Sequence, residues 1–345
     1  VTAEHALSDK THTGRIAPRH APADAAHETG RGRQAKTPIH IPPRGWKDIL
    51  IRSFHGISSK NLGIVSAGCA FYSLLAIFPG LAALVSVYGL VANPSDVQAL
   101  IDLTGRVIPG DANKILADDL TALVSHPSAK LSFGAITGFA FALWSAHSGL
   151  TTLMTALNIA YGETERRSYI RRNLLALGFT LGAVLFIIVT LSLIALLPAV
   201  INYLPLSQDW KNFAALIRWP ILIVMVMVVL AVLYRVGPSR QKAKWRWVSP
   251  GAVITTLLWV AGSAAFSYYV SRFATYDKTY GSLGAVIVLL MWLYITSYLT
   301  LIGAEINAES EHQTAHDTTA GPEKPMGERN AVMADTIGES TAKPK

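Results

Sequence analysis

The stretch Tyr280–Glu309, YGSLGAVIVLLMWLYITSYLTLIGAEINAE, decides the fold. It opens on a small-residue turn, Gly281-Ser282, and runs apolar from Leu283 to Gly303, with Trp292 and Tyr294 set into it. It closes on Glu305 and Asn307. About 20 mostly apolar residues suffice to cross the hydrocarbon core of a bilayer as a helix. No water is present there to satisfy backbone N–H and C=O groups, so a single segment of this kind has to be helical.

The rest of the chain repeats the pattern. Charged residues are 15% and hydrophobic residues 51% of the chain, against about 25% charged in ordinary soluble domains. Working outward, the spans are expected at 63–91, 133–160, 173–197, 219–234, 248–270 and 283–303. The fold class is therefore an all-α, polytopic bundle of about six membrane helices occupying residues 44–309. Pro79 removes a backbone hydrogen bond and predicts a kink in the first span. Apolar residues at Trp46, Ile49, Leu50, Phe54, Ile57 and Leu62 predict an amphipathic helix lying in the membrane interface. Between the first two spans, Asn93–Lys130 reads as a loop with two short amphipathic helices split at Pro109-Gly110. The ends, 1–43 and 310–345, are polar and aperiodic and are expected to be disordered. Residues 1–45 lack an apolar central region of the signal-peptide kind, so insertion is expected to use the first membrane helix. One cysteine, Cys69, leaves no intramolecular disulfide framework and no cysteine-built zinc site.

Cations set the orientation. Arg44, Lys47, Arg52 and Lys60 precede the first span; Arg166, Arg167, Arg171 and Arg172 lie between the second and third; Arg235, Arg240, Lys242, Lys244 and Arg246 lie between the fourth and fifth. The opposite side carries few. Both termini are expected in the cytoplasm, and the net charge of +8 reads as topology rather than as a nucleic-acid surface. Gly134 with Gly138, and Gly178 with Gly182, have the spacing of close helix approaches; such pairs also arise by chance.

The second span is the most polar. His147, Thr151, Thr155 and Asn158 fall on one helical face, widened by Ser148 and Thr152. A polar stripe is costly against lipid and is expected to face the bundle interior or a wet cavity. His147 is the one ionisable side chain deep in any of these spans. Two readings stay open for the stripe: a polar pathway, or hydrogen-bonding glue between helices. Glu305 is expected to pair with Arg166, Arg171 or Arg172, or else to sit in water beyond the headgroups. Neither a phosphate-cradling glycine loop nor a dinucleotide fingerprint is present. His312 and His316 are four apart, but Gln313 stands where a metalloprotease would need glutamate. No catalytic residue, metal site or cofactor is expected.

Several stretches resemble the YihY/BrkB family of bacterial inner-membrane proteins, once labelled ribonuclease BN-like. They are Phe71-Tyr72 leading to Phe78-Pro79; Leu143-Trp144-Ser145 through Ala156-Leu157-Asn158 and Tyr161-Gly162 to Glu163-Thr164-Glu165-Arg166-Arg167; Trp247-Val248-Ser249-Pro250-Gly251; and Tyr280-Gly281-Ser282-Leu283 through Leu290-Met291-Trp292 to Gly303-Ala304-Glu305-Ile306-Asn307. The resemblance covers about residues 46 to 309. It implies a multi-pass protein of the bacterial inner membrane whose partner is the lipid bilayer. Three functions follow as expectations: a transporter or permease for an ion, small solute or lipid-like amphiphile; a structural membrane protein; or the ribonuclease of the old label. The oligomeric state stays open.

Overall fold

The computed structural model describes residues 23–91, 148–196, 201, 207–272 and 282–340. Helix α1 spans Pro43–Ser59 and α2 Leu62–Val91. Helix α3 covers residues 148–160, and α4 runs Tyr169–Leu191 into a π-helical turn, Ser192–Leu196. Helices α5 Gln208–Val236, α6 Trp245–Arg272 and α7 Ser282–Glu311 complete the order. Among the described residues there is no β-strand, only an isolated antiparallel bridge between Ala243 and Thr319.

Four helices, Tyr169–Ile194, Gln208–Val236, Trp245–Arg272 and Gly284–Glu311, are long and apolar enough to cross a membrane. Leu62–Ala76 adds a shorter apolar helix. Leu181, Leu185 and Ile188 of α4, and Val224 and Val228 of α5, are exposed. In an aqueous protein such faces would be costly; against acyl chains they are not. Most of the expected second span, the Asn93–Lys130 loop and the Gly134/Gly138 pair lie outside the described residues. So does His147.

Helix α7 is the post of the bundle: α1, α2 and α6 all pack on it, and α5 packs on α6. Its aromatic residues make the α6–α7 seam. The Trp259 and Trp292 rings lie 5.6 Å apart, and Trp259 Nε1 donates to Thr296 Oγ1 at 3.2 Å. Helix α1 turns into α2 through Asn61, whose φ of 51° is one that asparagine tolerates better than most residues. Its apolar side, centred on the fully buried Ile49, packs on protein, while Leu50 and Phe54 remain exposed.

Several boundaries differ from those read in the sequence. Helix α5 begins at Gln208 rather than 219 and carries Pro220 inside it, since membrane helices absorb proline. Helix α7 continues past Gly303 to Glu311, because loss of hydropathy marks where a helix leaves lipid, not where it ends. Helix α2, by contrast, runs unbroken through Pro79 and matches the expected 63–91 span. A Cβ on Gly178 or Gly182 would meet nothing within 4 Å, so that pair marks no helix contact among the described residues.

The largest correction concerns the ends. Residues 23–43 and 310–340 are ordered against the polar end of the bundle. The Arg33 guanidinium is buried; it donates to Gly338 O at 2.8 Å and to Glu28 at 2.9 Å. Met333 is fully buried, in one cluster with Leu157, Tyr161 and Trp247. Composition argues for disorder when a segment must make its own core. These segments borrow the bundle's core instead.

Candidate functional site

The last turns of α7 carry Glu305, Glu309 and Glu311. Negative charge at a helix C-terminus opposes the macrodipole, so each acid needs a cation, and each has one from a different place in the chain. Lys60, in the α1–α2 turn, puts Nζ 2.8 Å from both Glu305 oxygens and also donates to Ala160 O at 2.7 Å. Arg52 of α1 donates through Nε to Glu309 at 2.6 Å and through Nη2 to Gln313 Oε1 at 2.7 Å. Arg240, in the α5–α6 connection, grips Glu311 with two bonds of 2.9 and 2.5 Å. Both side chains of that pair are fully buried. Thr318 Oγ1 donates to Glu311 at 2.8 Å, and the Arg240 guanidinium lies 4.3 Å above the Tyr161 ring. The expected partners of Glu305 were Arg166, Arg171 and Arg172; the structure gives Lys60 instead, because Glu305 faces α1, four residues from Glu309 on the same side of α7.

The arginines after α3 have other roles. Arg167 donates to Glu165 through Nε at 2.7 Å and holds the Glu165 carboxyl down at about 2; its Nη2 reaches Gly237 O at 2.9 Å. The Arg166 amide donates to Ser239 Oγ at 3.0 Å, and the Arg171 amide to Ser168 Oγ at the head of α4. Arg172 comes to the polar face of α3: its Nη2 donates to Thr155 Oγ1 at 3.0 Å and to Thr151 O at 3.2 Å. Its Nε is buried and has no acceptor among the described residues.

The stripe itself divides. Asn158 is buried and acts as glue: Oδ1 accepts from the Ser239 amide at 2.7 Å, and Nδ2 donates to Glu165 at 3.1 Å. Thr155 is exposed and Thr151 half-buried among the described residues, so this part of the stripe is open where Arg172 of α4 reaches it rather than facing the interior. Helix α3 ends on Gly162 at φ 67°, with the Glu163 amide donating back to Asn158 O at 2.8 Å. Burial pushes the Glu163 carboxyl up, against the Val332 amide and the Arg240 and Arg166 charges that favour its ionised form.

Two sequence stretches read separately turn out to be one contact. Asn307 Oδ1 accepts from the Gly251 amide at 2.7 Å, and its Nδ2 donates to Val248 O at 3.1 Å. Pro250 disturbs the α6 backbone at that point, and Asn307 supplies the partners. Helices α6 and α7 approach closely there: a Cβ on Gly303 would overlap Thr255 Oγ1 and stand 2.6 Å from Tyr234 Oη. Tyr234, fully buried, donates to Thr300 O at 2.9 Å and shares a 2.9 Å bond with Thr255. Among the described residues no group of three His, Cys, Asp or Glu is placed to hold a metal ion.

Apolar helices of bilayer length joined by one dense polar end define a polytopic helical membrane protein. The family model for virulence factor BrkB matches residues 53–327, and the chain belongs to that family. A putative ribonuclease-like protein, YfkH, of Bacillus subtilis is 35% identical over 70% of this chain and 88% of its own length. UPF0761 membrane proteins are also similar: one of Idiomarina loihiensis is 26% identical over 74% of this chain and 87% of that protein. Another, of Nitrosospira multiformis, is 26% identical over 75% of this chain and 59% of that protein. No solved structure matches the chain significantly.

Proposed function

We propose that this chain is a permease of the bacterial inner membrane for an anionic, lipid-like amphiphile, which reaches it laterally at the exposed polar face of α3 beside Arg172. The observation that carries the reading is Arg172. It is a guanidinium at the first turn of a bilayer-length helix, drawn to Thr155 and Thr151, with a buried Nε that has no acceptor among the described residues. A cation so close to the hydrocarbon is costly unless it meets anions or water, and a guanidinium suits phosphate or carboxylate in a two-pronged contact. The exposed polar face of α3 would guide the head while the tail stays in the bilayer.

Purified protein in liposomes is expected to move a fluorescent anionic phospholipid analogue between leaflets, and Arg172→Gln to slow that movement by about tenfold or more, as loss of one charge-assisted contact implies. Arg171→Gln, whose side chain is exposed, is the control and keeps the rate. Movement unaffected by Arg172→Gln would contradict the reading.

A second reading is structural: the protein stiffens the envelope and moves nothing. The buried ion pairs at the end of α7 favour it, because they tie three segments of the chain to one helix. Under that reading no analogue moves in any preparation. Neither reading assigns the chain a catalytic step.

A further inference from the structure

The segment after α7 does more than trail from it. Residues 312–340 fold back across the polar end of the bundle and touch the end of α3, the α5–α6 connection and α1. At the end of α3, the Val332 amide donates to Glu163 Oε1 at 2.7 Å, and Met333 enters the core cluster beside Leu157 and Tyr161. Along the α5–α6 connection, backbone bonds run from Gln241 N to Asn330 O, Lys244 N to Thr318 O and Ala320 N to Lys242 O, at 3.0, 2.9 and 2.8 Å. At α1, Arg52 Nη1 donates to Glu339 O at 2.9 Å.

The segment is also stiff. Asp335 Oδ1 accepts from the Gly327 and Arg329 amides at 2.8 and 2.9 Å, and Arg329 Nη1 donates to Ala334 O at 2.6 Å. It therefore has an internal frame, Met333 as its apolar peg in this cluster, and polar bonds to the bundle, of which Gly338 O with Arg33 and Thr318 with Glu311 are buried. A segment framed in this way opens as one unit rather than fraying. Helices α3, α5, α6 and α7 cannot part at this end while it is seated.

We propose that residues 312–340 are a latch: seated, they clamp the end of α3 to α7 and to the α5–α6 connection, and unseated as a unit they let that end open. The latch goes beyond the permease reading and does not depend on it.

Cys69 reports on the latch. It is the one cysteine of the chain, it is 1% exposed, and it belongs to the same buried cluster as Met333. The full chain in lipid nanodiscs is treated with a water-soluble maleimide, alongside Val332→Pro, which deletes the amide bonded to Glu163, and Met333→Asp, which places a charge where the peg sits. Both variants are expected to label at Cys69 about tenfold faster or more. Hydrogen exchange at the Gly251 amide, in the α6–α7 seam, should stay at the wild-type rate. Wild-type labelling in both variants overturns the latch. So does faster labelling accompanied by faster exchange at Gly251, which would mean general loosening. Faster labelling with no lipid movement in liposomes leaves the latch standing and removes the permease.

Discussion

Replacing Arg240 with alanine is expected to destabilise the folded chain by about 3–5 kcal/mol, the cost of stranding one member of a buried ion pair. The pair is fully buried on both sides, so water cannot take over for the lost guanidinium. Glu311 would keep Thr318 as a donor, and one neutral hydroxyl does not replace two charge-assisted bonds. Tyr161 would also lose the cation above its ring, worth about 0.5–2 kcal/mol. Arg240→Met combined with Glu311→Leu removes both charges and should recover most of the loss. Equilibrium unfolding in mixed micelles measures this. A single variant within about 1 kcal/mol of wild type would show that the pair is solvated rather than sealed.

Asn307→Ala should have the next largest effect. It removes the Asn307 partner of the Gly251 amide and of the Val248 carbonyl at once, and a buried group left unmet costs about 1–3 kcal/mol. The loss falls where Pro250 has already weakened the α6 ladder. Asn307→Asp separates the two contributions: it keeps an acceptor for Gly251 and loses the donor to Val248. Thermal unfolding gives the size, and hydrogen exchange at Gly251 gives the place. A drop in stability with Gly251 still protected would mean that the amide bonds elsewhere and that Asn307 acts by filling space.

Much of this was legible in the sequence. Apolar runs bounded by cations gave the helices of α4 to α7, and the stretches around Tyr161, Gly251 and Asn307 carried the family resemblance. The partners were not legible. Arg52, Lys60 and Arg240 read as topology signals, since charge near a span end is what orientation requires, and nothing local says that a particular acid answers each one. Tyr234 closed an aliphatic run with no hint of Thr255 and Thr300, because those contacts join residues distant in sequence. The ordered end segment was missed for a related reason: composition reports whether a stretch can bury its own core, not whether it can borrow another's. Helical periodicity put Thr151, Thr155 and Asn158 on one face, yet Asn158 faces protein while Thr155 is exposed, because the last turn of α3 leans on Ser239.

The permease reading requires the exposed face of α3 beside Arg172 to be wet and selective for anions. In a Cys69→Ser background, Thr155→Cys in nanodiscs is exposed to a water-soluble, negatively charged thiol reagent, with Val229→Cys on the exposed face of α5 as the comparison. The account predicts that position 155 reacts readily, that position 229 does not, and that Arg172→Gln slows the reaction at 155. Equal protection at both positions would place Thr155 among acyl chains and contradict it.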